Sequence, residues 1–387
     1  MKYYIVAGEA SGDLHGSNLM KGLYAQDPQA DIRFWGGEQM NAVYRQHQSG
    51  TGLVKDYRDG AVMGYLEVFL KAFSLLKKVK FCQDDIAAWQ PDVVILIDYP
   101  GFNFKIAEFA HNAGFKVFYY IAPKLWASRE GRIRKLQAWV DRLFIIFPFE
   151  QTYFEGKGVP FTYVGNPLVD AIDQSPALQE SRADFIQRCG LPDAPYIALL
   201  AGSRNMEIGQ MMPTFMQLAD QWHGQEPSCH FVVAAAPSRT PEDYASYIEG
   251  RPYVKVVFGE TYAALRHARA AVINSGTASL EAALIGTPQV VGYRVAPLSA
   301  IIMRRLIKVP YVSLANLILG RLAFQELLQE NFTLEKLEAE VRRLWADEPY
   351  RQKMQADYAE IRTLLGGGGA SDAVARAMIN ELKVKTQ

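Results

Sequence analysis

Tyr3-Tyr4-Ile5-Val6-Ala7-Gly8-Glu9-Ala10-Ser11-Gly12-Asp13 stands at the start of the sequence. An apolar, β-branched and aromatic run reads as a strand, small residues and glycines turn the chain, and helical spacing follows over residues 14–25. The same alternation recurs. Strand-like runs lie at 32–35, 93–97, 117–121 and 143–147, with helical patterns at 66–89, 104–111 and 133–140. Further strand-like runs follow at 196–200, 230–235, 254–258, 271–274 and 289–293. Strand–helix alternation predicts parallel sheets with crossover helices, here two doubly wound α/β domains facing a cleft. The break is expected after Val164-Gly165-Asn166-Pro167, where turn residues interrupt the pattern.

The resulting division is 1–167, 168–355 and a C-terminal helical segment, 356–387. That last segment contains Gly366-Gly367-Gly368-Gly369, and each glycine costs a helix about 1 kcal/mol relative to alanine. The plainer expectation is a flexible break before a tail helix at 371–382. The sharper one is a hinge that lets this helix dock on the N-terminal domain or exchange onto a partner subunit.

Composition sets bounds. A chain of 387 residues, 49% hydrophobic and 21% charged, excludes extended disorder. Basic and acidic residues balance at 41 each, which argues against a nucleic-acid partner but says nothing about local patches. Cys82, Cys189 and Cys229 form no metal-ligand or C-x-x-C spacing, so a reduced cytoplasmic compartment is expected. The N-terminal run turns polar too early for a signal peptide, and no apolar run approaches the roughly 20 residues that span a bilayer.

In open α/β sheets, ligands bind beyond the carboxyl ends of strands. Four segments occupy such positions. In Gly8-Glu9-Ala10-Ser11-Gly12-Asp13, the glycines permit backbone approach; Ser11 or Asp13 would serve as a helix cap, but Glu9 is left over. In Ile97-Asp98-Tyr99-Pro100-Gly101-Phe102-Asn103, Asp98 ends an apolar strand, where desolvation would strengthen it as a base. The competing role, a helix cap, is one that Asn103 could fill instead. Leu200-Ala201-Gly202-Ser203-Arg204 offers Gly202 for close approach, Ser203 as a cap and Arg204 for phosphate. Asn274-Ser275-Gly276-Thr277-Ala278-Ser279-Leu280-Glu281 places small residues at a helix start, where backbone N–H groups bind anions, with Glu281 available to a ribose diol.

There is no G-x-x-x-x-G-K-[ST], H-E-x-x-H, G-x-S-x-G or Asp-x-Asp pattern, and the 6 histidines form no ligand pair; His15 reads as a helix-surface residue. Metal-independent handling of a phosphorylated leaving group is what remains.

These segments, in this order, closely resemble the lipid-A-disaccharide synthase family, two-domain (GT-B) glycosyltransferases of Gram-negative bacteria with Rossmann-like halves. The 8–13 segment is similar to the family's A-G-E-x-S-G-D. Ala61-Val62-Met63-Gly64 with Glu67-Val68, Pro123 with Trp126-Ala127, and Pro148-Phe149-Glu150 match further along. Gly202-Ser203-Arg204 with Glu207, Ser275-Gly276-Thr277, Val291-Gly292-Tyr293-Arg294 and Tyr311-Val312-Ser313-Leu314 with Asn316 complete the set. Ser128 replaces a frequent tryptophan, and Ala201 and Ala315 stand where proline is frequent.

The resemblance implies transfer of 2,3-diacylglucosamine from UDP-2,3-diacylglucosamine to 2,3-diacylglucosamine 1-phosphate, with inversion, giving a β-1,6-linked disaccharide 1-phosphate and UDP. It implies Asp98 as base, with Glu9 and Asp13 as runners-up or positioning groups. Gly202, Ser203, Arg204, Ser275, Gly276 and Thr277 would hold the diphosphate, Glu281 the ribose, and Asn316 would line the same cleft.

Two stretches suit lipid substrates. One carries Leu66, Phe69, Leu70, Phe73, Leu76 and Val79 with Lys71, Lys77, Lys78 and Lys80; the other is 297–309, with Arg304, Arg305 and Lys308. Amphipathic helices with basic outer faces ordinarily pack on a core, but they also lie on anionic membranes. Peripheral contact with the cytoplasmic face of the inner membrane is therefore expected, chiefly through the first stretch. A homodimer stays open. Competing readings are a UDP-N-acetylglucosamine 2-epimerase, another GT-B glycosyltransferase, or a non-catalytic nucleotide-sugar or lipid sensor.

Overall fold

The computed structural model describes residues 1–58, 67–127, 130–295 and 309–383, with the backbone alone for 67–74. Outside the described residues lie Ala61-Val62-Met63-Gly64, Leu66, Ser128 and residues 296–308; so do the side chains of Phe69, Leu70, Lys71 and Phe73. The chain forms two compact units: Met1–Asp170 with the chain from Leu365 onward, and Ala171–Leu364.

The first unit is built on β1 (Lys2–Ala7), β2 (Asp31–Gly36), β3 (Leu53–Asp56), β4 (Val93–Ile97), β5 (Lys116–Tyr120), β6 (Arg142–Ile145) and β7 (Phe161–Tyr163). Their order is β3-β2-β1-β4-β5-β6-β7, and each neighbouring pair is parallel. All of Val93-Val94-Ile95-Leu96-Ile97 is buried, as a strand with helices on both faces requires. Winding reverses between β1 and β4, which lie side by side with Ala7 opposite Ile97.

The second unit repeats the plan with β8 (Tyr196–Leu200), β9 (His230–Ala235), β10 (Val254–Phe258), β11 (Ala270–Asn274), β12 (Gln289–Tyr293) and β13 (Glu326–Leu328). The order is β10-β9-β8-β11-β12-β13, all parallel, with the reversal between β8 and β11. β3, β7 and β13 are edge strands of 4, 3 and 3 residues, too short for a period-2 pattern to stand out in the sequence.

The unit boundary corrects the expected break at residue 355. Helix Glu348–Leu364 lies in the second unit, where Tyr358 Oη accepts from Gln289 Nε2 at 3.2 Å and Met354 and Ile361 are buried. Only the last helix, Ala370–Lys383, joins the first unit. It lies on helix Ala10–Gln26 so closely that a Cβ on Gly22 would be 2.9 Å from Ala375 Cβ.

The four glycines before it form a defined turn in place of the plain break expected. Their φ values are 97°, 68°, 107° and 79°, the left-handed region that favours glycine. The Asp170 carboxylate accepts from Gly369 N and Ser371 N at 2.5 and 2.9 Å, and Leu365 O accepts from Asn166 N at 3.1 Å.

Candidate functional site

Both switch points present the segments that the sequence marks. In the first unit, Asp98 and Tyr99 follow β4 with φ of 42° and 45°, and Ile121 follows β5 with φ of 63°. Side-chain clash makes this region costly for non-glycine residues, and such strain concentrates at functional sites. Hydrogen bonds hold it in place. Asp98 N donates to Tyr120 O at 3.1 Å, while Asp98 O accepts from Tyr119 Oη at 2.6 Å and Asn103 Nδ2 at 2.8 Å.

Helix Pro100–Asn112 takes Tyr99 as its N-cap, with no side-chain cap. Neither Asp98 nor Asn103 therefore spends its side chain on that role. Asn103 instead clamps the carbonyls of Ile97 and Asp98. Burial pushes the half-buried Asp98 carboxyl up from the usual aspartate range; the Lys124 ammonium opposes this and the Glu9 carboxylate adds to it. Glu9 is exposed at the N-cap of helix Ala10–Gln26, beside Asp98 across the switch point.

Asp13 is arranged differently from the runner-up base envisaged above. It is 2% exposed, and its carboxylate accepts from Gly37 N at 2.7 Å, Met40 N at 3.1 Å and Gln39 N at 3.1 Å. These are the free N–H groups at the start of helix Glu38–His47, so Asp13 fixes the loop after β2. His15 is partly buried, with its pKa pushed down to about 4 by burial, correcting the helix-surface reading.

Two charged residues of the first unit, Glu150 and Lys124, were not singled out from the sequence as site residues. Glu150 is 1% exposed, yet accepts from Ile146 N at 3.2 Å, Phe147 N at 3.0 Å and Trp126 Nε1 at 3.2 Å. Burial pushes its carboxyl up to about 7 against the pull of those donors and of Lys124. Lys124, exposed on the loop after β5, therefore acts on both carboxyls. The available signal for Glu150 was its place three residues after Phe147, where a helix-start glutamate can reach back to the N-cap N–H, with Pro148 opening the helix.

In the second unit, Gly202 follows β8 with φ of 104°, and a Cβ there would lie 2.5 Å from Glu207 Oε2 and 2.7 Å from Asn274 Nδ2. Glu207 caps helix Asn205–Gln225, accepting from Ser203 N at 2.9 Å and Arg204 N at 3.1 Å. Ser203 is thus exposed and is not the cap. The Arg204 guanidinium is exposed, steadied by Glu207 Oε1 at 2.8 Å.

One strand over, Ser275 N donates to Gly292 O at 3.0 Å, and Gly276 is the N-cap of helix Thr277–Ile285 with no side-chain cap. Gly276 and Thr277 are exposed, which leaves the helix start open to an anion. Glu281 is half-buried on that helix; it accepts from Tyr262 Oη at 3.0 Å, and burial raises its pKa. Tyr262 carried no signal in the sequence.

Asn316 departs from its expected place. It is fully buried: Nδ2 donates to Glu326 Oε1 at 2.8 Å and Phe324 O at 3.2 Å, while Oδ1 accepts from Ala323 N at 2.8 Å. Glu326 in turn accepts from Val312 N and Ser313 N at 2.9 and 2.8 Å. Asn316 is thus an internal latch for the segment that precedes β13 and does not line an open surface. Among the described residues, no group of His, Cys, Asp and Glu is arranged to hold a metal ion.

Two doubly wound units, each with its polar loops at the switch point, define the fold of GT-B glycosyltransferases and nucleotide-sugar epimerases. Solved structures agree on that fold. The Neisseria meningitidis UDP-GlcNAc 2-epimerase, solved with UDP-GlcNAc, superposes with a TM-score of 0.67 at 14% identity, covering 98% of this chain and 100% of that one. CalG4, the calicheamicin glycosyltransferase, gives 0.58 at 16% identity with 96% of each chain covered.

Sequence identifies the family. The family model for lipid-A-disaccharide synthetase matches residues 3–378. The lipid-A-disaccharide synthase of Geobacter metallireducens is 37% identical over 98% of this chain and 97% of its own length. That of Myxococcus xanthus is 37% identical over the same shares. The chain belongs to the lipid-A-disaccharide synthase family and is a glycosyltransferase of lipid A biosynthesis, acting on a UDP-sugar donor and an acceptor. Epimerase neighbours at 14% identity share the fold alone.

Proposed function

We propose that the chain transfers 2,3-diacylglucosamine from UDP to the 6-hydroxyl of 2,3-diacylglucosamine 1-phosphate, yielding a β-1,6-linked disaccharide 1-phosphate and UDP. The observation that carries this reading is the Asp98 carboxyl: strained into the switch point, half-buried, and not spent on capping a helix. In a single in-line displacement, the acceptor oxygen bonds to the anomeric carbon as the bond to the diphosphate breaks, inverting the configuration. Asp98 takes the hydroxyl proton, and burial keeps it basic enough to do so. Glu9 orients the acceptor from the facing strand end.

Charge grows on the departing UDP. Arg204 supplies a guanidinium for it, and the open start of helix Thr277–Ile285 supplies N–H groups from the Ser275-Gly276-Thr277 turn. Gly202 and Ser203 let the diphosphate approach the backbone, and Glu281, held by Tyr262, accepts from the ribose diol. Asp13 and Asn316 act as positioning residues through the loops that they fix. No step in this scheme calls for a metal, so turnover should survive chelation.

Peripheral membrane contact belongs to the same reading. Helix Glu67–Trp89 exposes Leu76 at 53% and Phe81 at 51%, beside Lys77, Lys78 and Lys80. Lys80 is partly neutralised by Asp84 at 2.6 Å. Such a surface suits the anionic cytoplasmic face of the inner membrane, and a homodimer is compatible with it. Flotation with anionic liposomes, before and after neutralising Lys77 and Lys78, tests the contact. Incubation with donor and acceptor followed by mass analysis tests the reaction: UDP released without disaccharide would overturn it.

A further inference from the structure

We propose that Lys124 binds the 1-phosphate of the acceptor and thereby makes the enzyme selective for a phosphorylated sugar. This deepens the reading above and rests on it.

β4 and β5 are neighbours, with Ile97 opposite Tyr120, so the loop carrying Asp98 and the loop carrying Lys124 leave the sheet side by side. In a hexopyranose, C5, which bears the 6-hydroxymethyl group, and the anomeric carbon C1 flank the ring oxygen. An acceptor with its 6-hydroxyl at Asp98 therefore carries its 1-phosphate only a few ångströms away. The Lys124 ammonium lies within electrostatic reach of Asp98 and is exposed.

Residues 123–127, which carry Lys124, are held in place by burial, hydrogen bonds and ring packing. Pro123 and Leu125, on either side of Lys124, are both buried, which directs the lysine outward. Leu125 N donates to Pro123 O at 2.6 Å, and Ala127 N to Lys124 O at 3.2 Å. Trp126 is pinned by Glu150 at 3.2 Å and packs edge-on against Phe149, with ring centroids 4.9 Å apart. Glu150 is itself held by Ile146 N and Phe147 N. A lysine on so firmly held a loop meets a ligand with less ordering cost than one on a free loop.

With the acceptor absent, Lys124 pulls down on Asp98 and so weakens the group that must take a proton. A phosphate that engages the ammonium removes that pull. Burial and the Glu9 carboxylate then act on Asp98 unopposed by the lysine, and the base strengthens when the correct acceptor is present. A sugar with a free anomeric hydroxyl would leave the Lys124 charge acting on Asp98. The charged contact thus contributes to both binding and proton transfer.

The test compares 2,3-diacylglucosamine 1-phosphate with its dephosphorylated counterpart as acceptors for wild type, Lys124→Met and Lys124→Arg. Wild type should prefer the phosphorylated acceptor by at least about tenfold in kcat/KM, the range of a charge-assisted contact. Lys124→Met should bring the ratio close to unity with donor KM unchanged, and Lys124→Arg should restore most of it. A preference in Lys124→Met equal to that of wild type would overturn the proposal, as would a rise in donor KM in place of acceptor KM. Failure of wild type to form any disaccharide would instead remove the transfer reading itself.

Discussion

Gly8 lies against the ring of Tyr99 so closely that a Cβ on residue 8 would fall 2.2 Å from Tyr99 Cδ1. The contact joins the ends of β1 and β4 at the first switch point, immediately beside Asp98. Only a residue without a side chain leaves Tyr99 where it is. Gly8→Ala should displace Tyr99 and the strained Asp98 peptide with it, lowering kcat by about 100-fold. Steady-state kinetics check this, with circular dichroism to show a retained fold.

Asp13 separates two roles cleanly. Its carboxylate serves three N–H groups of the following loop and helix. Asp13→Ala leaves those donors buried and unpaired, so a loss of about 2–4 kcal/mol is expected in urea unfolding. A stable Asp13→Ala protein with kcat abolished would return this residue to the list of bases.

Gly202 sits where both conformation and space forbid a side chain, at φ of 104° and against Glu207 and Asn274. Gly202→Ala should rotate the loop that carries Arg204. UDP binding by calorimetry is expected to weaken by about tenfold, with acceptor KM little changed.

The Glu150 carboxyl is raised from 4.5 to about 7 in the folded protein. The folded state then holds the proton more tightly than the unfolded chain, so stability from this group is full below pH 4.5 and is lost as pH rises to about 7. Glu150→Gln lacks that slope. Unfolding at pH 5 and pH 8 should show the variant gaining on wild type at the higher pH, by at most about 3 kcal/mol.

Much of this was legible in the sequence because parallel strands buried on both faces leave long apolar runs, as at Val93–Ile97 and Tyr196–Leu200. The loops at their carboxyl ends then follow from the fold rule, which is why Asp98 and Gly202 could be singled out. What the sequence hides is the partner of a polar side chain. Asp13 and Asn316 look like site residues until Gly37 and Glu326, brought to them by the fold, are seen to occupy them. Lys124 and Tyr262 carry no pattern at all; their roles come from what stands across from them.

One measurement tests most directly whether Asp98 is the base for transfer between the two acylated sugars. Wild type and a folded Asp98→Ala variant are incubated with UDP-2,3-diacylglucosamine and 2,3-diacylglucosamine 1-phosphate, and disaccharide 1-phosphate and UDP are quantified by mass spectrometry. Equal amounts of both products are expected from wild type, with a loss of at least about 100-fold in the variant. Near-normal disaccharide formation by Asp98→Ala would contradict that role.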